Sequence, residues 1–284
     1  MAKICIGLCV FNNEFGLPYV LKNISKLKPL FEEIVLVAFY DISADNSLEV
    51  LKQQCIELEL YTEIIINQQR PPLSRTGILA MARNAILNRI RNNFNDFTYF
   101  AMMDCNHYAC VGEIRPNVIQ LALDRKDEWD SISFYRDDGY YDFWALSMEP
   151  YIYSFVHFEN QHQMIDSMRD DISKRITEEF LQEPDKLIQV YSSFNGFSIY
   201  KMEKFIDCSY SSEINIKLFP LDLLKNQVDM FNNKMTLNFT CDCEHRHFHL
   251  QAIKKNDARI MICFHSLFGP IPEKSYEYAN ITRY

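Results

Sequence analysis

The chain has 284 residues, of which 48% are hydrophobic, and its formal net charge is −9. A chain of this length and apolar content can bury a sizeable core, which excludes an intrinsically disordered protein. Its acidic balance, without a basic run interleaved with aromatic residues, excludes a general nucleic-acid binder.

Strands and helices alternate through the first 110 residues. Short apolar runs rich in Ile and Val predict buried strands, which cover residues 3–10, 33–40, 62–66 and 97–103. Apolar residues at helical spacing predict helices over residues 17–27 and 76–92, and a further helix follows the segment DISADNS. This alternation predicts a mostly parallel sheet with right-handed crossover connections.

The regular alternation of predicted strands and helices ends after residue 110. The pattern predicts a helix over residues 115–123, a strand over 131–135, a polar helix over 160–181, a helix over 244–254 and a strand over 258–264. The segment SSFNGFSIYKM predicts a short pair of strands around Asn195 and Gly196. No linker rich in Pro, Gly or Ser separates the two halves, so we expect a single α/β domain over residues 1–284.

The cysteines and the apolar segments indicate in which cellular compartment the protein resides. The nine cysteines are an odd number and several lie in apolar surroundings, which indicates reduced thiols. The first residues, MAKICIGLCVFNNEFG, are predicted to form a strand, because no small-residue cleavage site follows the apolar stretch. No run of about 18 apolar residues occurs. We therefore expect a cytoplasmic protein without a signal peptide or a transmembrane segment.

The fourth predicted strand ends in the polar segment MMDCN. Open α/β sheets bind ligands at the carboxyl ends of their strands, although an aspartate there also fits ordinary turn chemistry. Neither GxGxxG nor GxxxxGKS occurs, which excludes the usual dinucleotide-binding and P-loop sites. A nucleoside diphosphate would then need another source of positive charge, such as a divalent cation held by a strand-end carboxylate.

Several segments together resemble a known family. The segment DISADNS after the second strand, Arg83 in a helix and MMDCN after the fourth strand resemble GT-A-fold nucleotide-sugar glycosyltransferases. The later blocks YYDFWAL, SSFNGFSIYK and CEHRHFH resemble the fungal capsule-type α-mannosyltransferases and their bacterial and viral relatives. The resemblance spans about residues 3–265.

The resemblance implies a fold and an activity. The implied fold is α/β, a GT-A or Rossmann-like mixed sheet flanked by helices, with a donor half over residues 1–110 and an acceptor and catalytic half over 111–284. The implied reaction is transfer of a hexose from a nucleoside diphosphate sugar to a glycan hydroxyl. GDP-mannose is the favoured donor and a UDP-sugar the other possibility. A viral origin would place the protein in the host cytoplasm.

The resemblance also assigns donor and metal residues. Asp104 matches the acidic motif at the end of the fourth strand, and with His265 it would hold Mn²⁺ or Mg²⁺. Asn106 stands where a second aspartate is usual, and a neutral carbonyl oxygen is a weaker ligand for these cations. Asp41 would receive the base or ribose, and Arg83 would neutralise phosphate.

Further residues are assigned around the sugar. Asn195 and Gly196 match the glycine-containing loop that approaches the donor sugar, although they also fit a plain turn. Tyr141, Asp142 and Trp144 would lie on the acceptor side, because aromatic faces suit sugar rings. A buried core tryptophan is the alternative interpretation of Trp144.

Two acidic residues are the catalytic candidates. Glu244 matches the acid that such folds place at a helix start beside the acceptor, and Asp242 is its neighbour. Glu244 could act as a general base in an inverting enzyme or stabilise charge in a retaining one, although an acid also caps a helix favourably.

Two other functions stay open from the sequence. The alternating cysteines and histidines of residues 241–249 could bind zinc, although their spacing matches no common zinc module. On a strand all five would lie on one face, and on a helix His245 and His249 could share a metal. The departure at Asn106 would also suit a catalytically silent module that binds a sugar or a nucleotide.

Overall fold

The computed structural model describes residues 1–106, 108–159, 161–230 and 240–272. The strands are β1 (Lys3–Val10), β2 (Glu33–Asp41), β3 (Tyr61–Asn67), β4 (Tyr99–Asp104), β5 (Ser131–Arg136), β6 (Leu187–Val190), β7 (Phe197–Lys201) and β8 (Ile260–Phe268). The α-helices are α1 (Leu17–Ser25), α2 (Ser47–Glu57), α3 (Arg75–Asn93), α4 (Pro116–Asp124), α5 (Gln161–Gln182), α6 (Met202–Phe205), α7 (Leu221–Met230) and α8 (Glu244–Asn256).

The strands form one mixed sheet in the order β3-β2-β1-β4-β7-β5-β8-β6. β1 pairs in parallel with β2 and β4, β2 pairs in parallel with β3, and β5 pairs in parallel with β8. β7 is antiparallel to β4 and β5, and β6 is antiparallel to β8. The predicted α/β fold with a mostly parallel mixed sheet is therefore confirmed.

Helices cover both faces of the sheet. On β1, Ile4, Ile6 and Leu8 pack in one core layer with residues of α1, α2 and α4. Cys5 points into the other layer, which contains residues of α3 and α8. Because both faces of β1 are buried, its sequence is a continuous apolar run instead of an alternating one. None of the helices in the described ranges is long and apolar enough to cross a lipid bilayer.

The parallel pairing of β1, β2 and β4 brings polar strand ends together. Asp104 at the end of β4 lies opposite Cys9 of β1. On the other side of β1, Tyr40 of β2 lies opposite Val10, and Asp41 follows it directly. The two acidic strand ends thus flank the carboxyl end of β1, the position at which open α/β sheets bind their ligands.

Two elements differ from the sequence predictions. The segment around Asn195 and Gly196 is not a hairpin, because β7 pairs with β4 and β5 while the preceding strand, β6, pairs with β8. The four-residue β6 has too short a pattern to be recognised from the sequence. His265 lies inside β8 and not after it, because pairing with β5 extends this strand to Phe268.

Candidate functional site

A cavity of about 340 Å³ lies at the carboxyl ends of β1, β2 and β4. Its walls come from those strand ends, the first half of α3, residues 141–144 and the first turn of α8. Both halves of the chain therefore contribute to it. The charged side chains that line the cavity are Asp41, Arg70, Arg75, Arg83, Asp104, Asp142 and Glu244.

Arg83 connects two of the cavity carboxylates. Its Nη2 donates a hydrogen bond of 3.2 Å to Oδ1 of Asp104, and its Nη1 forms an ion pair with Oε1 of Glu244. The guanidinium carbon lies 5.1 Å from the ring centroid of Phe194, and Arg83 and Glu244 are both buried. A buried arginine between two carboxylates is strongly held, because removal of one partner leaves an uncompensated charge.

Asp104 also contacts the loop that follows β5. Its Oδ2 accepts a hydrogen bond of 3.2 Å from the Tyr141 hydroxyl, and its backbone N–H donates to the Gly196 carbonyl at 2.8 Å. Burial raises the pKa of Asp104, and the neighbouring Arg83 opposes the shift. Asp104 is thus the junction between the sheet, α3 and the loop over residues 141–144.

Asn195 and Gly196 contact this loop but do not line the cavity. Asn195 Oδ1 accepts hydrogen bonds from the backbone N–H groups of Tyr141 at 3.0 Å and Asp142 at 3.4 Å, while Nδ2 donates to the Phe134 carbonyl at 2.9 Å. Asn195 and Gly196 have φ values of 52° and 88°. A Cβ atom on Gly196 would lie 2.8 Å from the Tyr141 hydroxyl, which explains the glycine. The structure shows these two residues as supports for Tyr141 and Asp142.

Asp142 has a different environment from the other cavity carboxylates. Its Oδ1 accepts a hydrogen bond of 3.2 Å from the backbone N–H of Ala145, and it forms no ion pair within the described residues. Burial, followed by the charge of Asp104, raises the pKa of Asp142 to about 6. A carboxyl group with this pKa can exchange a proton near neutral pH.

One end of the cavity is built around Asp41, at the end of β2. Oδ1 of this buried residue accepts a hydrogen bond of 2.8 Å from Asn67, and Arg70 Nε lies 3.5 Å from its Oδ2. The Arg70 guanidinium lies 3.9 Å from the ring centroid of Phe11, which is partly exposed. This end therefore offers an acceptor oxygen beside a flat aromatic and guanidinium surface.

Several buried polar atoms of the cavity lining lack a hydrogen-bond partner among the described residues. They include Asp41 Oδ2, Asn106 Oδ1, Trp144 Nε1 and both ring nitrogens of His245. Burial of a polar group without a partner costs about 1–3 kcal/mol, so native structures keep few such groups. Because the residues that carry these atoms line one cavity, a polar ligand bound there could complete their hydrogen bonds.

The residues present fit a divalent cation only in part. Asp104 and Asn106 offer side-chain oxygens, and Asn106 Oδ1 is one of the unsatisfied acceptors. No group of three or more His, Cys, Asp or Glu side chains that could hold a metal occurs in the part of the chain that the structure describes. Mg²⁺ is usually held by one or two protein oxygens together with substrate phosphates and water. The donor set fits a cation that arrives with a diphosphate.

His265 and Asp242 do not line the cavity. His265 Nε2 contacts Asp185 Oδ1 at 2.8 Å on β8, so the structure does not bring it to Asp104. Asp242 forms an ion pair with Arg246 and accepts a hydrogen bond of 2.7 Å from the backbone N–H of Cys243. Of the two catalytic candidates, Glu244 lines the cavity and Asp242 does not.

The cysteines and histidines of residues 241–249 do not form one cluster. The ring nitrogens of His249 lie 3.0 Å from the Ser192 hydroxyl and 3.3 Å from the Tyr200 hydroxyl. His245 faces the cavity and stacks on Phe194 at a centroid distance of 3.7 Å. Because α8 begins at Glu244, strand-like alternation does not apply to these histidines.

The structure adds two cavity arginines that the sequence did not single out, Arg70 and Arg75. Arg70 lies in the loop between β3 and α3, and Arg75 is the first residue of α3; their position after a parallel strand was the available signal. His245 also lines the cavity, whereas the sequence indicates it only as a possible metal ligand within residues 241–249.

Comparison with solved structures identifies the fold as GT-A. Residues 1–349 of TarS from S. aureus match 97% of this chain with 11% identity and a TM-score of 0.50, and the match covers 62% of that chain. A longer TarS structure matches 98% of this chain, with 14% identity, 38% coverage of TarS and a TM-score of 0.51. The TarS 1–349 complex with UDP-GlcNAc matches 94% of this chain, with 12% identity, 58% coverage and a TM-score of 0.50.

This chain thus spans less than two thirds of these TarS structures. Identities this low relate the folds alone. No protein-family model matches the sequence, and no curated protein sequence matches it significantly.

Proposed function

We propose that the protein transfers a hexose from a nucleoside diphosphate sugar to a glycan hydroxyl. The observation that carries this proposal is the cavity at the carboxyl ends of β1, β2 and β4, which gathers Asp41, Asp104 and several unsatisfied polar atoms. The GT-A fold supports it, because the similar TarS structures are nucleotide-sugar glycosyltransferases.

The donor nucleotide would bind with its base beside Asp41. Nucleobases carry N–H donors that suit the unsatisfied Oδ2 of Asp41, and their flat rings suit the surface formed by Phe11 and Arg70. Arg70 and Arg75 line the same cavity and can approach a diphosphate. Arg83 is occupied by Asp104 and Glu244, so its role would be to hold these carboxylates.

A divalent cation, Mn²⁺ or Mg²⁺, would bind together with the diphosphate at Asp104 and Asn106. The cavity presents four carboxylates against three arginines, so a diphosphate enters a site with no surplus of positive charge. When bound, the cation would offset the charge that gathers on the leaving diphosphate. The neutral Asn106 would make its affinity modest without the nucleotide.

Two carboxylates could serve the transfer step. Glu244, held by Arg83, would place negative charge where positive charge develops on the sugar, or take the proton of the acceptor hydroxyl. Asp142 has no arginine partner within the described residues and could also take that proton. Tyr141 and Trp144 line the same side of the cavity and would contact the acceptor glycan through their rings.

Two donors are proposed, GDP-mannose and a UDP-sugar. The resemblance of YYDFWAL and CEHRHFH to capsule-type enzymes favours GDP-mannose. The TarS complex contains UDP-GlcNAc, which favours a UDP-sugar. A glycan acceptor follows from the same family resemblance.

The test is a thermal-shift panel of GDP, UDP, GDP-mannose, UDP-glucose and UDP-GlcNAc, each with Mn²⁺ and with EDTA. A ligand that binds the native state raises the melting temperature once its concentration exceeds the dissociation constant. We expect at least one nucleotide to raise it, and to raise it more with Mn²⁺. No shift with any of the nucleotides would contradict the proposed function, and equal shifts in Mn²⁺ and EDTA would contradict the metal.

Variants then separate donor binding from chemistry. Asp104→Asn should weaken nucleotide binding and turnover together, because the diphosphate is bound in both the ground state and the transition state. Glu244→Gln or Asp142→Asn should leave nucleotide affinity nearly unchanged and lower turnover by about 10²-fold for whichever residue acts in the transfer step.

A silent sugar- or nucleotide-binding module is the second candidate. It is favoured by Asn106 and by the ion pair that holds Glu244 on Arg83. Such a module would bind a nucleotide sugar in the panel and release no nucleoside diphosphate over many hours with any glycan acceptor or with water.

A further inference from the structure

His245 is a buried polar residue that no role proposed above uses. Its side chain is 1% exposed, lines the cavity, and has no hydrogen-bond partner for Nδ1 or Nε2 among the described residues. On the same helix, Oε1 of the neighbouring Glu244 lies 3.9 Å from Nε2, beyond hydrogen-bond distance. Two unsatisfied nitrogens on one buried ring indicate that something absent from the protein itself contacts them.

The surroundings of the ring hold it in one orientation. Phe194 stacks on it with an interplanar angle of 20° and a centroid distance of 3.7 Å, and Tyr210 meets it edge-on at 5.4 Å. Burial, together with the charge of Arg83, lowers the pKa of His245 well below its ordinary value. The ring is therefore neutral at physiological pH, with one nitrogen as donor and the other as acceptor.

This chemistry selects the kind of group that can bind. A neutral imidazole is a poor partner for a diphosphate, which requires cations or several N–H donors. A hydroxyl group both donates and accepts, so it can satisfy either nitrogen, and an aqueous sugar presents several hydroxyls. The indole N–H of Trp144, in the same cavity, is a further unsatisfied donor.

The position of His245 points to the transferred sugar. Glu244, its chain neighbour, is ion-paired with Arg83, and Arg83 is bonded to Asp104 at the proposed diphosphate end. The group next to the diphosphate in a nucleotide sugar is the hexose. We propose that His245, stacked on Phe194, is a specificity-determining residue that hydrogen-bonds a hydroxyl of the donor hexose. This inference rests on the proposed function.

The decisive variant is His245→Phe, which keeps a stacked ring and removes both nitrogens. The matched control is His249→Phe on the same helix, because His249 is equally buried but contacts Ser192 and Tyr200. Isothermal calorimetry with Mn²⁺ would give the dissociation constants of GDP-mannose, UDP-glucose, GDP and UDP. The quantity compared is the dissociation constant of each nucleotide sugar divided by the dissociation constant of the matching nucleotide without the sugar.

We expect His245→Phe to raise this ratio about 3- to 10-fold for the donor that the protein uses, the scale of one neutral hydrogen bond. GDP and UDP should bind as in the wild type. His245→Asn, which restores a donor and an acceptor, should recover part of the loss. His249→Phe should leave the ratio unchanged and lower the melting temperature, whereas His245→Phe should leave the ligand-free melting temperature unchanged or raise it.

Three results would overturn the inference. An unchanged ratio in His245→Phe, with nucleotides still bound, would reject the hydroxyl contact while the proposed function stands. A change confined to the Michaelis constant of the acceptor would place His245 on the other substrate. If the wild-type protein binds none of the nucleotides, the proposed function is contradicted, and this inference with it.

Discussion

The environment of Asp142 predicts that its ionisation destabilises the folded protein. Burial and the charge of Asp104 raise its pKa from 3.8 to about 6, and no arginine pairs with it in the described part of the chain. Asp142→Asn removes the ionisable group and can keep the hydrogen bond that Oδ1 accepts from the Ala145 N–H. We expect this variant to be more stable than the wild type at pH 7.

The sign and size follow from proton linkage. Between about pH 4 and pH 6 the folded state binds the Asp142 proton more strongly than the unfolded state, so this group makes the free energy of unfolding fall as pH rises. Above pH 6 the contribution is constant. A pKa raised from 3.8 to about 6 corresponds to about 3 kcal/mol, and partial exposure of Asp142 to solvent reduces the expected gain to about 1–3 kcal/mol.

Urea unfolding of both proteins at several values between pH 4.5 and pH 8 measures the effect. The difference between variant and wild type cancels the contributions of the other carboxylates. It should grow with pH up to about pH 6 and then stay level. A difference that is independent of pH, or that favours the wild type more as pH rises, would refute the assigned environment of Asp142.

Three further perturbations test the geometry around the cavity. Arg83→Met should lower the free energy of unfolding by about 3–5 kcal/mol, because it leaves the buried Glu244 and the partly buried Asp104 without this ionic partner, and adding Glu244→Gln in urea unfolding should recover part of that loss. Gly196→Ala should cost about 1–3 kcal/mol in the same assay, since φ is 88° and the new Cβ would press on Tyr141; no loss would show that the turn adapts. Asn106→Asp should raise Mn²⁺ affinity in the presence of the bound nucleotide, measured by calorimetry, whereas His265→Ala, outside the cavity lining, should leave it unchanged.

Much of the fold could be predicted from local patterns. The bounds of β1 agree with the prediction, and those of β2, β3 and α3 agree within one residue. Short apolar runs rich in Ile and Val indicate the strands, and apolar residues at helical spacing indicate α3. The chain order of these elements also predicts that strand ends such as Asp41 and Asp104 meet at one edge.

Pairing across the second half could not be predicted in the same way. The partner of a short strand such as β6 is decided by which neighbour has a free edge and a matching face, and this information is spread over the whole chain. The same is true of the segment with Asn195 and Gly196, because it connects β6 to β7, which follow each other in the chain but are not neighbours in the sheet.

By itself the sequence determined the residue types of the site, namely strand-end acids, a helical arginine and an acid at the start of α8. Only the tertiary structure decided their roles. In the folded protein Arg83 pairs with two carboxylates, Asp142 has no arginine partner within the described ranges, and His265 contacts Asp185 and does not line the cavity. The physical reason is that burial, ionic partners and unsatisfied hydrogen bonds depend on distances between residues remote in the chain, and these distances exist only once the sheet and helices have packed.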